Sequence, residues 1–142
     1  MNTSSRFAVA VHVLSLLATT SGPVSSVLIG GSVNTNPVLI RRILGQLGRA
    51  GLTQSIRGAA GGTLLARTPA QINLLDVYRA VEEPGVLALH RSDPNPACEV
   101  GRNITRVLGG VFDRAQDAVE RVIESMTLQD ILRQLKVKQA AS

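Results

Sequence analysis

An asparagine followed by a proline, an apolar repeat and a closing glycine, NPVLIRRILGQLGRAG at residues 36–51, specifies a helix and both of its ends. Asn36 is a good N-cap, because its side chain can accept from a free amide of the first turn. Pro37 suits the first helical position, where its missing N–H costs nothing. Ile40, Ile43, Leu44 and Leu47 recur at the spacing of one helical face. Arg41, Arg42, Gln46 and Arg49 fall away from that stripe, and Gly51 supplies the left-handed residue that ends a helix. The segment therefore buries one face and turns two adjacent arginines outward.

What those arginines meet depends on the charge around them. No Asp or Glu occurs from Met1 through Leu75, whereas the same stretch holds Arg6, Arg41, Arg42, Arg49, Arg57 and Arg67. From Asp76 onward acids and bases nearly balance, so the net charge of +5 lies in the first half. This asymmetry marks a module that binds a polyanion. Aromatics make up only 2 % of the chain, which argues against a single-strand binder that stacks bases on aromatic platforms.

The run RFAVAVHVLSLLATTSG, residues 6–22, has the outline of a secretory signal. His12 interrupts it, Arg6 is its only cation, and it is too short to span a bilayer. Phe7, Ala10, Val13, Leu14 and Leu17 fall at i, i+3, i+4 spacing, which predicts a core helix to about residue 18. Thr3 or Ser4 would cap it, and His12 reads as a core histidine. The chain then belongs in the cytoplasm, with no membrane partner, and its free thiol is in the expected state. A short helix over residues 25–31 follows the Ser21-Gly22-Pro23 break.

Beyond Gly51, LTQSIRGAAGGTLLA (52–66) reads as strand, glycine loop, strand, with Arg57 at the tip. A phosphate loop would need Lys-Ser/Thr and then a helix, and neither follows. Two short helices, a helix bearing free arginines and a basic hairpin describe a winged helix-turn-helix. Thr68-Pro69 opens a further helix through Val81, which Glu82-Glu83-Pro84-Gly85 ends. Residues 84–98 read as a loop.

The longest helix lies within residues 100–126. Its apolar stripe includes Ile104, Leu108, Phe112, Val119 and Ile123. Gly109-Gly110 in its middle costs about 1 kcal/mol per residue, which a close helix crossing would offset. Thr127 with Asp130 restarts a short terminal helix. So long a stripe exceeds what a small domain needs to cover its core, so it reads as a dimer seam. The expected division is a DNA-binding domain at 1–83, a linker at 84–99, and a dimerisation helix with a short terminal helix at 100–142.

Taken together, NTNPVLIRRILGQLGRAGL, RGAAGGTLLA, LLDVYRAVE and NPACEVGRNI closely resemble the Rrf2 family of bacterial transcription regulators over nearly the whole chain. The resemblance implies a mostly α fold with a small β-hairpin wing, a long dimerisation helix, and a homodimer on a palindromic operator. It implies a regulator, in the first place a repressor, working at the nucleoid. Many members hold an iron–sulfur cluster on three cysteines in the loop before the long helix. Here Cys98 is the only cysteine, so such a cluster within one subunit is impossible. A mixed site using His12 or His90 runs against the thiolate preference of these clusters. No metal or other cofactor is expected.

The candidate DNA-binding residues are Thr35, Asn36, Pro37, Val38, Arg41 and Arg42 at the recognition helix, and Arg57 on the wing. Asn36 has a capping role that needs no DNA. In a two-fold dimer the two recognition helices would lie about 34 Å apart if the half-sites are one turn apart. Cys98 is the candidate sensor: a helix N-terminus lowers a thiol pKa, and neighbouring Glu99 opposes this. The loop around it could instead line a pocket for a small-molecule effector. A basic RNA-binding protein is the rival class, separated by whether the target is a two-fold duplex or a structured or single-stranded RNA. No Ser/His/Asp set, paired carboxylates or nucleotide loop is evident, so the chain does not read as an enzyme.

Overall fold

Ala10, Val13, Leu14 and Leu17 lie on one face of the first helix, α1 (Arg6–Thr19), and are all buried. The computed structural model describes residues 4–140. Among these, α1 is followed by α2 (Ser26–Val33), α3 (Pro37–Arg49), β1 (Thr53–Ile56), β2 (Gly62–Leu65), α4 (Leu74–Val81), α5 (Glu99–Glu124) and α6 (Leu128–Leu135). The chain forms two units. One runs to Glu82 and resumes at Glu124; the other spans Glu83–Ile123.

The core of the first unit is aliphatic, as the scarcity of aromatics requires. Val13, Leu14, Ile29, Ile40, Ile43, Leu47, Leu52, Ile72 and Val77 are fully enclosed in it. Phe7 and Tyr78 meet edge to face at its margin, with ring centroids 5.5 Å apart. Thr3, one expected cap of α1, lies outside the described residues. Ser4 does contribute, its Oγ accepting from the Arg6 amide at 3.2 Å. The larger part of the capping comes from far along the chain. Glu82 Oε1 accepts from the Phe7 amide at 3.1 Å and from Ser4 Oγ at 2.6 Å. A carboxylate at a helix N-terminus is favoured by the helix dipole. His12 departs from expectation. It falls off the buried stripe, is exposed, and places Nε2 2.9 Å from Ser32 Oγ on α2.

The wing is an antiparallel pair in which Thr53 faces Leu65 and Ile56 faces Gly62. Val24 adds a third edge through two backbone bonds with Thr63, at 3.0 and 2.9 Å. Gly62 makes this possible, since a Cβ there would lie 2.5 Å from the Val24 carbonyl oxygen.

The helix expected from Thr68 is interrupted. A single 3-10 turn, Pro69–Gln71, gives way to extended backbone at Ile72, and α4 begins only after Asn73. Asn73 Oδ1 accepts from the Leu75 amide at 2.8 Å and so starts a new helix. Ile72 and Leu74 instead pair with the segment entering α6: the Leu128 amide donates to Ile72 O at 2.9 Å, and the Leu74 amide to Met126 O at 3.0 Å. Buried backbone groups need partners, and this pairing supplies them where a continued helix would not.

Helix α6 starts with a reciprocal cap. Asp130 Oδ2 accepts from the Thr127 amide at 2.9 Å, and Thr127 Oγ1 accepts from the Asp130 amide at 3.3 Å. The bond from the Thr127 backbone holds the Asp130 carboxyl below its ordinary range against partial desolvation, helped by the Thr127 hydroxyl and Arg133. Leu128 and Leu132 of α6 are enclosed in the same core as α1. The terminal helix, grouped with the long helix from sequence, thus completes the first unit.

In the second unit, α5 runs for 26 residues and none of them is buried. Gln116 Oε1 accepts from the Gly85 and Val86 amides at 3.2 and 3.0 Å, holding the preceding loop along the helix. Asn95 forms a turn, its Oδ1 accepting from the Ala97 amide at 2.9 Å and its carbonyl from the Cys98 amide at 3.2 Å. Gly101 admits this turn, because a Cβ there would meet the Asn95 carbonyl oxygen at 2.5 Å.

Candidate nucleic-acid interface

Helices α2 and α3 are joined by Asn34, Thr35 and Asn36. Asn34 closes α2 in the left-handed conformation, φ 56°, with its amide bonded to Gly30 O at 2.8 Å. Asparagine tolerates this region better than other side chains. Asn36 then caps α3, its Oδ1 accepting from the Val38 amide at 2.8 Å. At the other end, Gly51 takes φ +75°, and the Leu52 amide reaches back to Leu47 O at 3.0 Å. This 6→1 bond is the Schellman closure of a helix.

With Ile40, Ile43 and Leu47 buried, α3 presents Val38, Arg41, Arg42 and Arg49 to solvent. The six arginines of the acid-free stretch divide into two groups. Arg6 bonds the Val81 carbonyl at 2.9 Å and lies 3.6 Å from Glu82, and Arg67 lies 3.9 Å from Asp76. These two serve the fold. Arg41, Arg42, Arg49 and Arg57 make no ion pair among the described residues, and all four are exposed. Arg57 stands at the wing tip beside Gly58, whose φ of +111° turns the loop.

Thr35, Pro37 and Arg41 come together. With Val27 and Gly30 of α2 they line a recess of about 330 Å³ between the two helices. The sequence places a short helix over residues 25–31 but does not assign its residues to the site, because nothing local ties them to α3. Ser25 starts α2 where the sequence places it, its side chain accepting from the Leu28 amide at 3.3 Å.

The family model for Rrf2, described as an iron-dependent transcriptional regulator, matches residues 3–134. The chain belongs to the Rrf2 family. This Rrf2 protein is 41 % identical over 132 residues to YwnA of Bacillus subtilis (strain 168), a provisionally assigned HTH-type transcriptional regulator, covering 93 % of this chain and 98 % of that one. CymR of the same organism, an HTH-type transcriptional regulator, is 32 % identical over 110 residues, 78 % of this chain and 72 % of its own. The solved structure of CymR, there called the global cysteine regulator, has a TM-score of 0.65 at 28 % identity, covering 92 % of this chain and 95 % of that one. The structure of T. potens IscR has a TM-score of 0.71 at 27 % identity, covering 100 % and 94 %.

The Rrf2 protein is therefore a DNA-binding transcriptional regulator with a winged-helix fold, and its relatives are regulators rather than enzymes. No helix among the described residues is long and apolar enough to cross a membrane. The iron dependence in the family description finds no matching donor set. Cys98 is the sole thiol, exposed just ahead of α5, and among the described residues no three His, Cys, Asp or Glu side chains converge. A cluster held by three cysteines of one subunit does not fit.

Proposed function

We propose that this protein is a homodimeric repressor that reads a palindromic operator in the cytoplasm, at the nucleoid. The first unit would bind DNA and the second would pair the subunits. The observation that carries the DNA-binding part is the set of unpaired arginines. Arg41 and Arg42 lie on the solvent face of α3 and Arg57 on the wing tip, with no carboxylate neutralising them. In such folds the N-terminal part of the recognition helix meets base edges and flanking cations meet phosphates. Thr35, Asn36, Pro37 and Val38 are at that end.

Helix α5 supports the dimer. Val100 and Val122, near its two ends, are 69 and 68 % exposed, and Val107 and Val111 are also exposed. Ile104, Leu108, Phe112, Val119 and Ile123 are only half-buried within the chain. A Cβ on Gly109 or Gly110 would have no neighbour within 4 Å, so nothing in the same chain exploits these glycines. A second copy of α5 crossing there would.

Cys98 is exposed, and its carbonyl accepts from the Arg102 amide at 2.8 Å in the first turn of α5. Thiol–disulfide exchange at its sulfur would form a mixed disulfide, release a thiol from the reagent and add bulk where the loop joins the dimer helix. A tilt there would change the spacing of the two recognition helices and so the fit to both half-sites.

Fluorescence anisotropy on a duplex selected by the protein tests this reading. Arg42→Ala and Arg57→Ala are expected to weaken binding and each to lower the salt slope by about one. A disulfide reagent is expected to weaken the parent, reductant to restore it, and Cys98→Ser to be indifferent. Unchanged affinity in both arginine variants removes this placement of the interface. A Cys98→Ser protein that responds like the parent removes the thiol switch and makes the loop a candidate small-ligand pocket.

A further inference from the structure

Charge accounts for the arginines of α3 but not for Val38. This side chain is 54 % exposed in the first turn of the helix, one turn before Arg41. It adds nothing to the core, which Ile40, Ile43 and Leu47 supply from the opposite side. Valine is also a weaker helix former than Arg, Lys, Gln or Glu. Across the recess, Val27 of α2 is 82 % exposed and shares the lining with Thr35, Pro37 and Arg41. Arg41 is thus set among apolar surface at the end of the helix that faces the groove.

The major-groove floor offers one apolar group, the C5 methyl of thymine, while an arginine reads the N7 and O6 of guanine. Asn36 is poorly placed to read adenine through a bidentate amide, because its Oδ1 already accepts from the Val38 amide at 2.8 Å. No acid or other amide is exposed in the first turns of α3. Residues three and four apart lie on one helical face with a rise of roughly 4.5–6 Å, which spans one to two base steps of about 3.4 Å.

Resting on the reading that α3 enters the major groove, we propose that Val38 is a specificity residue that packs on the 5-methyl group of a thymine. That thymine lies one or two base pairs from a guanine held by Arg41 or Arg42.

The test starts with a duplex that the full-length protein selects from a randomised pool. Each thymine is then replaced singly by deoxyuridine, which removes the methyl group and nothing else. At one thymine per half-site the replacement is expected to weaken binding by roughly four-fold, the effect of losing one buried methyl-sized group. Val38→Ala is expected to bind the parent duplex more weakly, to keep the thermal stability of the parent, and to show no further loss on the deoxyuridine duplex. The inference is overturned if no thymine is sensitive, or if the sensitive thymine remains sensitive in Val38→Ala. A pool that yields no preferred duplex overturns instead the major-groove reading on which the inference stands.

Discussion

Leu132→Ala probes whether the terminal helix belongs to the first unit. Leu132 is 1 % exposed and packs with Leu128 into the core that also contains Val13 and Leu14. Truncating a buried leucine to alanine costs the transfer free energy of the lost carbons plus a cavity term, about 2–5 kcal/mol in all. Helix α6 follows a turn and can shift inward, so the lower part of that range, about 2–3 kcal/mol, is expected. For a chain of this length the loss lowers Tm by roughly 10 °C. Leu135→Ala on the same helix is the control. Leu135 is 55 % exposed, so its truncation should change stability by no more than about 0.5 kcal/mol. Thermal and urea unfolding should be followed at one fixed protein concentration, because association shifts apparent stability. If Leu132→Ala unfolds within about 0.5 kcal/mol of the parent, α6 does not complete the core and the reasoning fails.

Gly62→Ala would push a methyl group into the Val24 carbonyl and part the wing from its third edge. Faster hydrogen exchange at the Val24 and Thr63 amides, with a loss of about 1 kcal/mol or more, is expected. The Asp130 carboxyl is held below its ordinary value of 3.8, so its contribution to stability is present above that value and is lost as pH falls through the lowered one. Asp130→Asn should therefore have a lower Tm than the parent at about pH 7, and the gap should narrow as the solution is acidified through the lowered pKa. Phe112→Asp or Val119→Asp would place an unpaired charge in the proposed seam at a cost of several kcal/mol. Sedimentation is expected to show a dimer for the parent and monomer or aggregate for the variants; a monomeric parent at micromolar concentration removes the two-fold reading.

Helix α3 was legible because every determinant is local. The cap at Asn36, the proline, the stripe and Gly51 all lie within one short segment, and each does in the structure what its type predicts. The hairpin was legible for the same reason. Its third edge was not, since Val24 meets Thr63 from far along the chain. The break at Asn73 was missed because Thr68-Pro69 is itself a good helix start and obscured a second cap five residues later. The capping signal of Thr127 and Asp130 revealed the helix α6 but not what it packs against. Of the candidate interface, the excess of arginine was readable from composition. Which arginines remain free was not, because Arg6 and Arg67 take partners, Glu82 and Asp76, that only the fold brings near.

The return of the chain at Glu124 has a consequence for synthesis. The second unit interrupts the first, which resumes only after α5. A nascent chain that has emerged through the wing and α4 still lacks Leu128 and Leu132, and so lacks part of the core behind α3. Domains generally fold as units as they leave the ribosome, the N-terminal one first. Here the first unit is not complete until α5, the helix proposed to pair the subunits, has already been made. A chain terminated after α5 would carry the whole of the proposed seam yet lack Leu128 and Leu132, and with them part of the core beneath the arginine-bearing helix.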